Sequence, residues 1–304
     1  MSAKDGGSGH IIQSLIVNSL IASAKGVAAF FTGSGAMLAE AIHSSADCGN
    51  QLLLLRGVKE GKKPADAAHP LGYGRNVYFW SFMVALLLFT GGGMFSIYEG
   101  VHKLQHPEAV DNVLLAVVIL GFSLLLEGWA TYGNVKELNK RRGPKAFFAF
   151  LRDTKDSDLV VVFGENAAAV LGLALALGAI LISHFAQEPR ADAVGSILVG
   201  VVLVGVAVFL AIEVKSLLVG ESADPEITNV ANQLAVEDKR IIGVRSCVTM
   251  QQGPGEVIVA VKIRCEPHLT AADISGMINA FEARLRQARP ECKFVFVEPD
   301  LSGV

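Results

Sequence analysis

Hydrophobic residues in this chain gather into six long stretches, which short polar segments separate. A helix that crosses the apolar layer of a membrane needs about 20 mostly apolar residues. Six stretches have that length: residues 11–31, 35–58, 76–101, 112–135, 159–185 and 193–214. The pattern predicts an all-α bundle of six transmembrane helices over residues 11–216, preceded by a polar tail over residues 1–10.

The pattern then changes to that of a small water-soluble domain, over residues 217–304. Pro225 suits the first turn of one helix, and Thr270 can cap a second. The order helix, strand, strand, helix, strand predicts a two-layer, ferredoxin-like α+β domain. Its second sheet face or a sheet edge is left free for a partner, most naturally a second copy of the chain. Three strands are predicted, the central one from its period-two alternation: residues 244–250, 257–265 and 293–298.

Composition supports the membrane assignment, because 52% of the 304 residues are hydrophobic and the mean hydropathy is +0.46. The formal net charge is only −3, which gives no electrostatic reason for binding nucleic acid. The four cysteines, Cys48 in the second stretch and Cys247, Cys265 and Cys292 near the C-terminus, lack the C-x-x-C spacing of a zinc site. The last three could hold a metal ion but are expected instead to pack as small apolar residues.

Basic residues are concentrated in two connecting segments, at residues 59–75 and 140–155. Lysine and arginine are enriched in the cytoplasmic loops of membrane proteins, so both segments and both termini are predicted to be cytoplasmic. No secretory signal with a small-residue cleavage site precedes the first stretch. By elimination, a bacterial inner membrane is the expected location.

The second stretch contains three ionisable residues, Glu40, His43 and Asp47, on one helical face. Each costs roughly 2.5 to 3.5 kcal/mol inside a bilayer, so the face must look inward and be compensated, most simply by a cation. His43 and Asp47 form an H-x-x-x-D pair that can bind one metal ion; the alternative is a hydrogen bond between helices. Glu40 is expected to support the ligands, line the ion's path or pack between helices. Lys25 is expected to snorkel or to pair with a carboxylate.

The fifth stretch offers Glu165 as a third ligand. Asn166 follows it, about 100° further round the helix, and is either a further ligand or an interhelical hydrogen-bonding group. The other acids of the spans are expected near span ends or turns, in solvated or interface roles: Glu99, Glu127, Asp192 and Glu213.

Three segments, GSGAMLAEAIHSSAD, HPLGYGRNVYFWSFMVALLLFTGGGMFSIYEGVHKL and LLVGESADPE, make the chain resemble the cation diffusion facilitator family of zinc and manganese exporters. The resemblance is closest to the zinc-transporter branch that includes a mitochondrial member. It implies a homodimer with cytoplasmic termini that exchanges a divalent cation against protons by alternating access.

In that family the transport site takes two residues from the second span and two from the fifth, commonly as H-x-x-x-D or D-x-x-x-D. His43 and Asp47 match the second-span pair. The fifth span departs from the pattern, because Ala169 lies four residues after Glu165 and Asn166 stands where an acidic pair would have its second member. The last strand also departs: Phe296 occupies the place of a regulatory zinc-binding histidine, and His268 stands alone in a loop.

These observations predict a proton-coupled antiporter that exports a divalent cation from the cytoplasm. Imidazole favours zinc over harder ions, and the zinc is a transported substrate rather than a resident cofactor. One alternative is a manganese or iron transporter of the same family, and another is a membrane scaffold or partner subunit without transport. An intramembrane hydrolase is poorly supported, because the sequence has no H-E-x-x-H motif.

Overall fold

The computed structural model describes residues 6–107, 109–154 and 157–300, which form two compact units. The first contains the described residues up to Val58 and those from Phe79 to Lys215. The second contains Lys59–Tyr78 and the residues from Ser216 onward. Residues 1–5 of the predicted tail, and Lys155 of the second basic segment, lie outside the described residues. Residues 6–10 of the predicted tail belong to the first helix.

The first unit is helical, and each of the six predicted stretches is a helix. Between α3 and α4 the chain forms a π-helix, Leu88–Met94, so that 76–105 is one continuous helical segment. The helices are α1 (Gly6–Thr32), α2 (Gly35–Gly61), α3 (Asn76–Leu87), α4 (Phe95–Gln105), α5 (Val113–Arg141), α6 (Phe147–Asp153), α7 (Ser157–Phe185) and α8 (Arg190–Val219).

Among the described residues, four segments are long and apolar enough to cross a membrane: Asn76–Gln105, Val113–Arg141, Val160–Phe185 and Arg190–Val219. The two N-terminal helices are not among them. In α2 the physical reason is the row of polar and ionisable side chains that lowers its hydropathy. The total of six transmembrane helices therefore stays a prediction.

Small residues let α8 lie directly against the π-helical segment and α4. A Cβ atom on Gly93 would lie 2.6 Å from Val204 Cγ2, and one on Gly200 would lie 2.8 Å from the carbonyl oxygen of Gly93. The Ser196 hydroxyl donates a hydrogen bond to the Ser96 carbonyl at 2.9 Å. Close packing through small residues, with hydrogen bonds across the contact, is typical of helix pairs in membranes.

The second unit has the element order that the sequence predicts. Its sheet has the order β1-β2-β3, with β1 and β2 antiparallel and β2 and β3 parallel. Asp224 caps the first helix by accepting from Glu226 N at 2.9 Å, and Thr270 forms a capping box with Asp273. The elements are α9 (Pro225–Glu237), β1 (Ile241–Gly253), β2 (Glu256–Cys265), α10 (Ala271–Ala288) and β3 (Cys292–Asp300).

The core of this unit lies between one face of the sheet and its two helices. The odd-numbered residues from Val257 to Cys265 are buried, as the period-two pattern predicts, and Met277, Phe281 and Leu285 of α10 are buried with them. The segment 59–78 packs at the far end of the β1–β2 hairpin, where Arg75 Nε donates to Gln252 Oε1 at 3.1 Å. The sequence pattern does not predict that contact.

Candidate cation site

The polar face of α2 is buried. His43 is fully buried, and the side chain of Asp47 is 16% exposed. Because the two residues are one helical turn apart, their side chains lie side by side, with His43 Nε2 3.5 Å from Asp47 Oδ2. The predicted pair is therefore close enough for both groups to contact one ion.

Several atoms of this face lack hydrogen-bond partners within the described part of the chain. They are both ring nitrogens of His43, Asp47 Oδ1 and Asn50 Oδ1, all of which are buried. Buried polar atoms are nearly always hydrogen-bonded, so a group of polar atoms without partners needs an explanation. An imidazole nitrogen and carboxylate or amide oxygens form a donor set that suits a divalent cation.

Helix α7 contributes Glu165, which is joined to α2 by a hydrogen bond. The Asn50 side-chain amide donates to Glu165 Oε1 at 2.7 Å, and the charges of Glu165 and Asp47 act on each other. The neighbouring Asn166 contacts α5 through its backbone, where the Thr131 hydroxyl donates to the Asn166 carbonyl oxygen at 3.4 Å. The structure thus places Glu165 beside the polar face of α2.

Among the described residues, no three His, Cys, Asp or Glu side chains converge closely enough to hold a metal ion. Two neighbouring pairs are present instead: His43 with Asp47, both on α2, and Asn50 of α2 with Glu165 of α7.

Glu40 lies one turn before His43 and is fully buried. Lys25 of α1, which is also buried, places its Nζ atom 3.1 Å from Glu40 Oε2. Of the two roles expected for Lys25, the structure shows pairing with a carboxylate.

Three polar residues have roles that the sequence did not reveal. Asn50 was not singled out, although it lies three positions after Asp47 and therefore on the same helical face. Glu127 was expected near a span end, which is wrong, because it lies at the middle of α5, and its charge acts on both His43 and Asp47.

Asp192 was expected near a span end, in a solvated or an interface role. It lies in the first turn of α8 and is only 1% exposed, so the structure excludes the solvated role and shows a contact between helices. Its side chain accepts hydrogen bonds from the Ser34 hydroxyl at 2.5 Å and from Gly35 N at 2.7 Å, so it caps α2 from the start of α8.

The second unit offers no comparable site in its described residues. Cys265 and Cys292 are fully buried in the core, and burial raises the pKa of the Cys292 thiol to about 11. Burial also raises the pKa of Cys247 and of Cys265. Metals bind the thiolate, so these shifts favour the predicted packing role. His268 is exposed in its loop.

Comparison with known proteins identifies the family. The profile of the cation efflux transmembrane domain matches residues 11–219. The human proton-coupled zinc antiporter SLC30A9, a mitochondrial protein, is 31% identical over 254 residues, which are 83% of this chain and 45% of that protein. Arabidopsis thaliana metal tolerance protein C4 is 30% identical over 295 residues, 96% of this chain and 63% of that protein. Magnetosome protein MamB of Paramagnetospirillum magneticum is 26% identical over 283 residues, 90% of this chain and 88% of that protein.

The chain spans less than half the length of the human relative. The matched profile nevertheless runs from within α1 to the end of α8, including the face that carries His43 and Asp47. The matched family is one of cation efflux, and the human relative is named an antiporter, so the chain is of a transporter family and not an enzyme. The chain therefore belongs to the cation efflux family, also called cation diffusion facilitators, and is a multi-pass membrane protein.

Proposed function

We propose that this chain is a proton-coupled antiporter that carries zinc by alternating access. The observation that carries the proposal is the buried His43 imidazole, 3.5 Å from Asp47, with no hydrogen-bond partner for either ring nitrogen in the described residues. The buried N–H of a histidine with a purely structural role would donate a hydrogen bond to a neighbouring group. The names of the animal relatives, which include the words proton-coupled zinc antiporter, support the same substrate and mechanism.

The proposed ligands are His43, Asp47 and Glu165, with Asn166 as a further oxygen donor and Glu40 beside the ion's path. Proton coupling follows from the chemistry of these groups. The imidazole must be neutral and the carboxylates ionised to bind a metal, so a proton and a metal ion compete for the same atoms. Protons arriving on one side of the membrane release zinc there, and the site returns protonated to the other side.

The proposed orientation has both termini in the cytoplasm, because the two basic segments follow the positive-inside rule. We place the protein in a bacterial inner membrane. The similarity to magnetosome protein MamB of Paramagnetospirillum magneticum supports a bacterial membrane.

Proteoliposomes that contain a zinc-sensitive dye test the function. We expect rapid zinc uptake when the lumen is acidic and the medium neutral, together with a rise of the luminal pH, and we expect little uptake after a protonophore removes the gradient. An excess of Mn²⁺ should slow the uptake only weakly, because the site contains an imidazole.

Three outcomes would contradict this proposal, each in a different part. Equal uptake with and without the gradient would exclude proton coupling. Strong competition by Mn²⁺ or Fe²⁺ would favour the manganese or iron alternative. Absence of any transport by folded protein would favour a scaffold or partner subunit.

We propose a homodimer formed through the face of the sheet that points away from α9 and α10. On that face Val248, Ala260 and Phe296 lie in register across the three strands. Val248 is 64% exposed and Phe296 is 56% exposed, an unusual state for neighbouring large apolar side chains. A second copy that covers this row removes them from water.

Phe296→Asp is expected to weaken dimerisation at least tenfold, or about 1.4 kcal/mol. Light scattering on the detergent-solubilised full chain, over a range of protein concentrations, measures the dissociation constant. Val236→Asp is the matched control, since Val236 is 81% exposed but lies on α9. A dimer of unchanged affinity in the Phe296 variant would rule out this face.

A further inference from the structure

The ion pair between Lys25 and Glu40 lies in the buried interior of the helical unit. The side chains are 1% and 0% exposed, and Lys25 Nζ lies 3.1 Å from Glu40 Oε2. The same ammonium donates a hydrogen bond to Ser44 Oγ at 2.8 Å. Burying two charges carries a large desolvation penalty, and a pair of apolar residues would join α1 to α2 at least as well. The pair therefore calls for a reason other than stability.

Its position suggests that reason. Glu40 and Ser44 lie on either side of His43 in the sequence of α2, so the ammonium lies next to the proposed cation site. The charge of Lys25 acts on His43 and Asp47 as well as on Glu40. A divalent cation that binds at His43 and Asp47 is therefore repelled by an ammonium that belongs to the protein.

One carboxylate oxygen of Glu40 takes no part in the ion pair with Lys25. This atom, Oε1, is buried and has no hydrogen-bond partner among the described residues. This oxygen lies against α7 at Gly172, where an added Cβ would clash with it. The carboxylate thus has one oxygen on the Lys25 ammonium and the other, which no described residue pairs, near the helix that carries Glu165.

We propose that Lys25 is a tethered counter-cation that sets the affinity of the transport site. While no divalent ion is bound, its ammonium neutralises Glu40. When the ion arrives, repulsion displaces the ammonium from Glu40, and the carboxylate then faces the ion. A site with several carboxylates would otherwise hold zinc too tightly to release it, and a transported ion must be able to leave. The inference depends on the proposed function, because it concerns the same ion.

Zinc binding to the purified full-length protein, measured by calorimetry, tests this role. Lys25→Met keeps the length of the side chain and removes its charge, so we expect the dissociation constant for zinc to fall at least tenfold. In transport assays the same variant should show a lower KM and a lower kcat, because release becomes slow. Glu40→Gln leaves an unpaired ammonium beside the site, and we expect its dissociation constant to rise at least tenfold.

Two further variants serve as controls. Lys103→Met removes a lysine that lies 3.8 Å from another buried acid of the same unit, Asp192, and zinc affinity should stay within threefold of wild type. Lys25→Met/Glu40→Gln removes both charges together and should bind zinc more tightly than Glu40→Gln alone. If Lys25→Met does not fold, the comparison of Glu40→Gln with this double variant decides, since the inference predicts tighter binding by the double variant.

A purely structural pair gives a different result. Lys25→Met would then lower thermal stability and leave the zinc dissociation constant of the folded protein unchanged, which overturns the inference while the transporter proposal stands. Failure of the wild-type protein to bind zinc at all would instead overturn the proposed function, and this inference with it.

Discussion

Asp47→Asn is expected to reduce proton-driven zinc transport at least about 100-fold. Asp47 supplies the charged oxygen beside His43, and even the loss of a residue that only supports a metal ligand typically weakens metal affinity or activity by roughly 10–100-fold. The amide keeps the size of the side chain but removes both its negative charge and its ability to exchange a proton. Zinc uptake into dye-loaded proteoliposomes under a pH gradient measures the effect, and His43→Ala should show a loss of similar size.

The matched control for the acid is Glu137→Gln, which neutralises a carboxylate of α5 that is 46% exposed and far from the polar face in sequence. His69→Ala is the control for the imidazole. His69 lies 3.6 Å from Asp66 in a second His–Asp pair, but this one is about half exposed and belongs to the second unit. Wild-type transport by the Asp47 variant would remove the H-x-x-x-D pair from the mechanism.

Asp192→Ala is expected to destabilise the helical unit by about 3 kcal/mol or more, because removal of one partner of a buried pair usually costs about 3–5 kcal/mol. Asp192 caps the first turn of α2 and lies 3.8 Å from Lys103 Nζ. Without the carboxylate, Gly35 N and the Ser34 hydroxyl lose an acceptor that the start of the helix needs. Thermal unfolding of the detergent-solubilised protein, with and without zinc, measures the change.

Asp192→Asn provides the comparison for that prediction. The amide retains one acceptor oxygen for the start of α2, so about half of the destabilisation is expected. Equal melting temperatures for the wild type and Asp192→Ala would show that the cap contributes little to the fold. Loss of zinc binding without loss of stability would instead indicate that Asp192 acts on the ion.

Local patterns account for much of the architecture. The apolar stretches indicated each long helix, and period two indicated the burial of alternate residues in β2. The capping role of Thr270 also follows from sequence, because its partner is only three residues away. The H-x-x-x-D spacing placed His43 and Asp47 together for the same reason.

Contacts between distant parts of the chain were beyond such patterns. Asn50 and Glu165 are 115 residues apart, and Ser34 and Asp192 are 158 residues apart, so no local periodicity relates them. Hydropathy also predicted helices that are too short. α5 and α8 extend past the predicted ends of their stretches because polar residues continue the helix there. For that reason Glu127 was placed near an end although it lies at the centre of its helix. The pairing of residues 59–78 with the C-terminal sheet is likewise a tertiary contact.

X-ray absorption at the zinc edge of the zinc-loaded, full-length protein tests the central claim, that His43 and Asp47 of α2 bind the transported ion. The account predicts nitrogen and oxygen neighbours at about 2.0–2.2 Å, with one imidazole contribution that disappears in His43→Ala. Sulfur neighbours at about 2.3 Å, or a spectrum that is identical in wild type and His43→Ala, would contradict it.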